Sequence, residues 1–390
     1  MRYAPLVERI GGRRVSAWDL HKVAADAARR GEDVIVLSVG DPDFATPAPI
    51  VEAAVDALRA GDTHYTPLAG RPALRAAIAR EHERRCGQQV EPENTIFLAG
   101  AQNGVAFAAL CLLGPGDEVL VPEPMYLTYE ASIGLAGATL VGVKQRRETG
   151  FRLDAEMLQA AVTPRTRAVF FATPCNPTGT VMSEAELAAI ADLAKAHDLW
   201  VVADEAYATL AFDRPHRSIA ALPGMAERTL TLGSLSKSHA MAGWRAGWAV
   251  GPAPLIGHLT NLALCTLYGL PGFVQEAACF ALEHEGDARD AMRETYRRRR
   301  DILFGLLSRI PRLHCLQPEA GMFMLADVTA TGLTSEDFAW RLFRATGVAV
   351  LDAGAFGEAA EGCVRISFVV GEDQLVEAAR RIAGFVEDLA

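Results

Sequence analysis

From about residue 46 to residue 250, short runs of near-continuous apolar residues alternate with amphipathic helical stretches, and few folds accommodate that rhythm. A strand buried on one face alternates apolar and polar side chains, because successive side chains point to opposite faces. A strand that is apolar throughout must be covered on both sides, and parallel strands need crossover helices that supply the cover. The runs at Thr95–Leu98, Glu118–Val121, Thr139–Val143, Ala168–Ala172, Leu199–Ala203, Thr229–Leu232 and Ala246–Val250 therefore predict an α/β fold. Its centre is a mostly parallel seven-stranded sheet with helices on both faces. AQNGVAFAALCLL and SEAELAAIADLAKAHD read as two of those helices. Ser183, with Glu186 three residues on, gives the second a capping-box start.

The two ends of the chain read differently. Residues 16–30 have helical spacing, and EDVIVLSVG reads as a strand ending at Gly40, stopped by Asp41, Pro42 and Asp43. A long helix over 287–308 leads to strands at Gly321–Val328, Val348–Leu351 and Cys363–Val369 and a final helix. The expectation is a large α/β domain over 46–285. A smaller α+β domain is assembled from both chain ends, 1–45 and 286–390.

Charge and cysteine usage exclude several function classes. A formal net charge of −10 argues against a nucleic-acid partner, and the basic run Arg297–Arg300, flanked by Glu294 and Asp301, reads as a solvated helix face. Seven scattered cysteines without a CxxC pair read as buried free thiols in a reducing compartment, with no metal site. The N-terminus lacks a signal-peptide core, and no run approaches the roughly 18 apolar residues that span a bilayer. These features predict a soluble, cytoplasmic protein with no membrane association.

Ligands of open α/β sheets sit beyond the carboxyl ends of the strands, so the residues just after each strand are informative. After AVFFAT comes Pro174-Cys175-Asn176-Pro177-Thr178-Gly179, and LWVVA runs into Asp204-Glu205-Ala206-Tyr207. TLTL is followed by Gly233-Ser234-Leu235-Ser236-Lys237, with Arg245 eight residues beyond the lysine. Three strand ends thus deliver an amide, a carboxylate with a phenol, and a lysine with a serine and an arginine. Leu98-Ala99-Gly100-Ala101-Gln102 closes a strand and opens a helix, so the N–H groups of Ala101 and Gln102 suit an anion. Arg365 stands alone in the apolar strand CVRIS, where an unpaired guanidinium is costly and calls for an anionic partner.

In their types, order and spacing these elements (NPTG, D-x-x-Y, S-x-S-K and G-x-R) resemble those of the class I/II aminotransferases of fold type I. The likeness runs over essentially the whole chain. It implies a pyridoxal 5'-phosphate enzyme that moves the α-amino group of an L-amino acid to a 2-oxo acid in a ping-pong cycle. It further implies that Lys237 bonds the cofactor aldehyde and later moves the substrate proton. Asp204 pairs with the pyridine nitrogen, and Tyr207 and Asn176 reach the phenolic oxygen. Tyr126 stacks on the ring, while Gly100, Ala101, Gln102, Ser234 and Arg245 hold the phosphate. Arg365, with Gly40 and Asn176, takes the substrate carboxylate. Tyr65 is implied to reach the phosphate of a second subunit, which makes the protein a homodimer.

Gln102 stands where the aspartate-using branch tends to have lysine, and Asp352-Ala353 replaces a common Pro-Gly pair. A carboxylate at 352 near the substrate suits a cationic side chain. SVGDPDFATPAPIVEAA, EPMYLTYEA, SLSKSHAMAGWRAGW and LALCTLYGLP resemble the branch that uses arginine as donor and pyruvate as acceptor. Donors of aspartate, aromatic or aliphatic type are alternatives. So is a β-lyase that cleaves C–S bonds with the same Lys237, Asp204 and Arg365. A nicotinamide-dependent dehydrogenase would need a GxGxxG opening its first helix, and the chain has none there.

Overall fold

The computed structural model describes residues 1–10 and 17–389. Its main sheet has seven strands: β1 (Thr95–Leu98), β2 (Glu118–Glu123), β3 (Thr139–Lys144), β4 (Thr166–Ala172), β5 (Trp200–Asp204), β6 (Thr229–Ser234) and β7 (Gly247–Val250). They lie in the order β1-β7-β6-β5-β4-β2-β3. All pairings are parallel except those of β7, which is antiparallel to both neighbours. The mostly parallel seven-stranded α/β sheet expected from the apolar runs is thus present, with strand ends shifted by up to two residues.

Alternation explains why those runs look continuously apolar. Val119, Val121, Phe170 and Val202 face one core, packed against Val105 and Phe107 of the helix Ala101–Leu112. Leu120, Val169, Phe171, Val201 and Ala203 face the other, against Leu187 and Ile190 of the helix Glu184–Ala196. Neighbouring residues of one strand are therefore both buried, on opposite faces. The capping box at the second helix forms as expected, with Ser183 Oγ accepting from the Glu186 N–H and Glu186 accepting from the Ser183 N–H.

A second, antiparallel sheet contains β8 (His314–Cys315), β9 (Phe323–Asp327), β10 (Leu351–Asp352) and β11 (Cys363–Ser367), in the order β10-β11-β9-β8. The helices Gly286–Leu307, Ser335–Thr346 and Glu372–Asp388 cover it through a shared core that includes Tyr296, Phe338 and Phe385. The helix expected over 16–30 runs Ala17–Arg29, with Ser16 outside the described residues, and a short helix, Leu6–Ile10, precedes it.

Three expectations are corrected. The strand predicted to run to Gly40 is regular only over Ile35–Val36, which pairs in parallel with Val348–Ala349. Its continuation gives the Ser38 and Gly40 carbonyls to side chains rather than to a neighbouring strand. The single strand expected over Val348–Leu351 is split at Val350, one half pairing with Ile35–Val36 and the other with β11. The arginine run is not a solvated face throughout, because Arg299 and Arg300 are 7% and 2% exposed. Arg299 grips Asp43 with two bonds of 2.8 Å, and Arg300 pairs with Asp213 while lying 4.9 Å over the Phe212 ring. Of the cysteines, Cys363 is buried, Cys265 is exposed and the other five are intermediate.

β7 begins where the sheet meets the helix Ala101–Leu112. A Cβ on Gly247 would stand 2.6–2.8 Å from the backbone of Gly100 and Ala101. We expect Gly247→Ala to destabilise the protein by about 1–3 kcal/mol, because a backbone neighbour cannot yield as a side chain can. Urea denaturation of the cofactor-free protein measures it.

Candidate active site

The carboxyl ends of the parallel strands meet at one level, since Ala172 pairs with Asp204 and Asp204 with Leu232. Beyond them lies a cavity of about 150 Å³. Nine of the residues singled out in the sequence line it: Ala101, Gln102, Tyr126, Asn176, Asp204, Tyr207, Ser234, Lys237 and Arg245.

Lys237 stands in the connection from β6 to β7. Its Nζ donates to the Gly40 carbonyl at 2.6 Å. Burial lowers its pKa to about 8, with help from Arg365 and Arg245 and against the pull of Asp41. Asp204 is shifted the other way: burial, with a smaller push from Glu205, raises its carboxyl to about 6. Its two oxygens accept from the Tyr129 hydroxyl and the Ala206 N–H, each at 3.1 Å. Both groups are thus drawn toward neutrality by a site that gives ions little solvation. Tyr207 and Tyr126 are held well into the protonated phenol form by burial, and the Tyr207 ring packs edge-on against Phe323 at 5.4 Å.

Arg365 projects from β11 and is 2% exposed. Its Nη1 donates to Asn176 Oδ1 at 3.1 Å and its Nη2 to the Ser38 carbonyl at 2.8 Å. The guanidinium lies 5.2 Å from the Phe323 ring centre and 5.0 Å from that of Phe356. Nε has no partner, and no carboxylate among the described residues pairs with the group. Burial brings its pKa down to about 10. An intramolecular salt bridge, the ordinary fate of such an arginine, is therefore absent among the described residues.

At the other end of the cavity, Gly100 takes φ +85° and no side chain caps the helix that begins at Ala101, so its first N–H groups remain available. A Cβ on Gly100 would stand 2.5 Å from Arg245 Nη2. Arg245, exposed and in the left-handed region at φ +55°, bonds the carbonyls of Ala242 and Ala99 at 2.9 and 3.1 Å. The Ser234 and Ser236 hydroxyls lie 2.9 Å apart beside it. This cup of donors suits a dianionic phosphate. Asp204 suits a ring nitrogen that carries a proton, and Lys237 suits an aldehyde. The residues present therefore fit pyridoxal 5'-phosphate.

Two expected residues lie elsewhere. Tyr65 is 85% exposed, away from this cavity, with its ring edge-on to Tyr268 at 4.9 Å. Asp352 pairs across the sheet with Val364, whereas Arg365 pairs with Leu351, so Asp352 points to the face opposite Arg365. Its carboxylate accepts from the Gly354 N–H at 3.0 Å and caps its own turn. The expectation that it approaches the substrate is thereby corrected. Gln102 is tied at both ends, accepting from Thr128 at 2.6 Å and donating to Ser132 at 2.9 Å.

Sequence reasoning did not single out Tyr129, Ser236 or the Ser38 carbonyl. Ser236 lies inside the S-x-S-K element itself. Tyr129, three residues after Tyr126, opens a helix and offered no signal of its own. No group of three or more His, Cys, Asp or Glu among the described residues is arranged to hold a metal, and none of their helices is long and apolar enough to cross a membrane.

Known proteins resemble this chain over nearly its whole length. Residues 32–382 match the family model described as aminotransferase class I and II. The chain is 53% identical over 383 residues to an arginine–pyruvate transaminase of Pseudomonas aeruginosa, covering 98% of each. It is 38% identical to an aspartate aminotransferase of Pyrococcus abyssi over 92% of each chain. A solved aspartate aminotransferase from Thermus thermophilus with maleate superposes with a TM-score of 0.93 at 35% identity, covering 98% of this chain and all of that one. Together with the fit of the site, these likenesses identify the chain as a member of the class I and II aminotransferases, with the fold type I architecture and a dependence on pyridoxal 5'-phosphate.

Proposed function

We propose that this aminotransferase takes its amino group from L-arginine and passes it to pyruvate. The observation that carries the amino-acid end of this reading is Arg365, a buried guanidinium that no carboxylate among the described residues pairs with. It is tied through Ser38 to the same segment that Lys237 bonds through Gly40. A planar fork of donors in that setting matches an α-carboxylate. The choice of donor and acceptor rests on the Pseudomonas relative, whose likeness covers nearly the whole chain. Gln102, neutral and already bonded, is not a cation directed at a second carboxylate.

In this reading Arg365 and Asn176 hold the substrate carboxylate and so fix which bonds of the α-carbon face Lys237. Pyridoxal 5'-phosphate supplies an aldehyde that takes up the amino group and a ring that withdraws the electrons left on the α-carbon. Lys237 would leave the Gly40 carbonyl, accept the α-proton and give it up again two atoms along, on the far side of the amino nitrogen. A pKa near 8 makes it a better base at neutral pH than an ordinary lysine. Asp204 keeps a proton on the ring nitrogen, and Tyr207 and Asn176 reach the phenolic oxygen. Ser234, Arg245 and the helix start at Gly100–Gln102 anchor the phosphate. We further propose a cytoplasmic homodimer in which the exposed Tyr65 enters the second subunit's phosphate site. The large domain spans 46–285, and the chain ends form the small one.

The absorption of the cofactor on Lys237 tests the reading directly. L-Arginine should bleach that band with release of the 2-oxo acid, and pyruvate should restore it. Bleaching by another amino acid but not by arginine would discard the donor. Arg365→Lys should raise the KM for arginine and for pyruvate tenfold or more, because a point charge cannot replace the fork, and steady-state kinetics with both substrates reads it. The depressed lysine pKa gives a pH signature. Uptake of the cofactor by the cofactor-free protein should quicken about tenfold per pH unit below 8 and level off above it, as Lys237 loses its proton. Stopped-flow absorbance from pH 6 to 9.5 tracks it.

A further inference from the structure

We propose that Tyr129 is the positioning residue for Asp204, aiming its carboxylate at the ring nitrogen and holding it in the anionic form. Tyr129 is 1% exposed, and its hydroxyl donates to the Asp204 carboxylate at 3.1 Å. It opens the helix Tyr129–Leu135, and its own N–H donates to the Tyr126 carbonyl at 3.0 Å. Its ring stands edge-on to the Tyr126 ring, 6.0 Å between centres at 83°. One buried side chain thus fixes the direction of Asp204 and backs the aromatic that lines the cavity.

The donor geometry explains why a phenol is used. Asp204 Oδ1 is occupied by the Ala206 N–H, so the hydroxyl on Oδ2 is the second donor that balances a desolvated charge. Hydrogen bonds to the ionised form favour it. Burial keeps Tyr129 itself protonated far above working pH, so it serves as a donor throughout. The other groups facing Asp204 are Tyr126, Cys175 and Tyr207, all held protonated by burial, and Glu205. Glu205 is held anionic at a pKa of about 2, against the cost of its burial, by His216 and Arg85. None of these donates a hydrogen bond to Asp204 Oδ2, which leaves Tyr129 as the side-chain donor to its charge among the described residues.

The test uses the cofactor-free full-length protein with carbon-13-labelled aspartate. Tyr129→Phe keeps the ring and removes the donor. Asp204 should then titrate at least about one pH unit higher than in the wild type, and pyridoxal 5'-phosphate should bind at least about tenfold more weakly by fluorescence titration. Tyr129→His, which retains a donor, should recover most of both. An unchanged titration together with binding within twofold of wild type in Tyr129→Phe overturns the proposal. If that variant does not fold, 3-fluorotyrosine at position 129, a stronger donor of the same shape, decides: Asp204 titrating lower than in the wild type supports the proposal, and an unchanged titration overturns it.

Discussion

A guanidinium taken out of water, with no carboxylate among the described residues beside it, is the most demanding feature of this molecule, and much of the architecture around the site answers that demand. Arg365 is stabilised by two oxygen acceptors and two aromatic faces, which is less than a buried cation needs and leaves a strong bias toward an incoming anion. To supply one of those oxygens, the segment after Leu37 leaves the backbone pairing. Its Ser38 carbonyl turns to Arg365 and its Gly40 carbonyl to Lys237. Further along, Asp43 is clamped by Arg299 on the helix Gly286–Leu307, which fixes the far end of the same segment. The Met125 N–H donates to the Phe356 carbonyl at 2.8 Å and ties the second aromatic face to the end of β2.

The site handles its other two ionisable centres by the same physics in opposite directions. Desolvation raises the Asp204 carboxyl to about 6 and lowers the Lys237 amine to about 8. A cofactor that brings a protonatable nitrogen and an aldehyde removes both tensions together, one by charge pairing and the other by bond formation. Binding and reactivity therefore draw on the same stored cost, and the protein has little reason to accept a ligand that offers only one of the two.

How far the sequence revealed this depends on whether a residue's role is local. Strands buried on both faces announce themselves, because Leu120 and Val121 look equally apolar although they serve different cores. The strand-end residues Asn176, Asp204, Lys237 and Arg245 were legible for the same reason, since topology alone delivers them to one level. What stayed hidden was long-range pairing. Arg299 and Arg300 read as solvated because their partners, Asp43 and Asp213, are 256 and 87 residues away. Asp352 read as a substrate ligand because register, which decides the face a strand residue occupies, is not visible in a two-residue strand. Tyr129 sits in an apolar stretch where a hydroxyl leaves no trace in periodicity.

The reversed direction of β7 has a consequence for how such a molecule can change. Because β7 runs back against β6, the chain between them, residues 235–246, leaves and re-enters the sheet at the same edge. Lys237 stands near its start and Arg245 near its end, so one short excursion carries both the amine proposed to bond the cofactor aldehyde and the cation proposed to hold its phosphate. Elsewhere, crossovers through helices separate consecutive strand ends, and a loop can gain or lose residues without disturbing its neighbours. Here any change in length would move Lys237 and Arg245, the two proposed anchoring points, relative to each other. Divergence in a scaffold of this kind is thereby steered away from that excursion and toward side chains on the remaining walls.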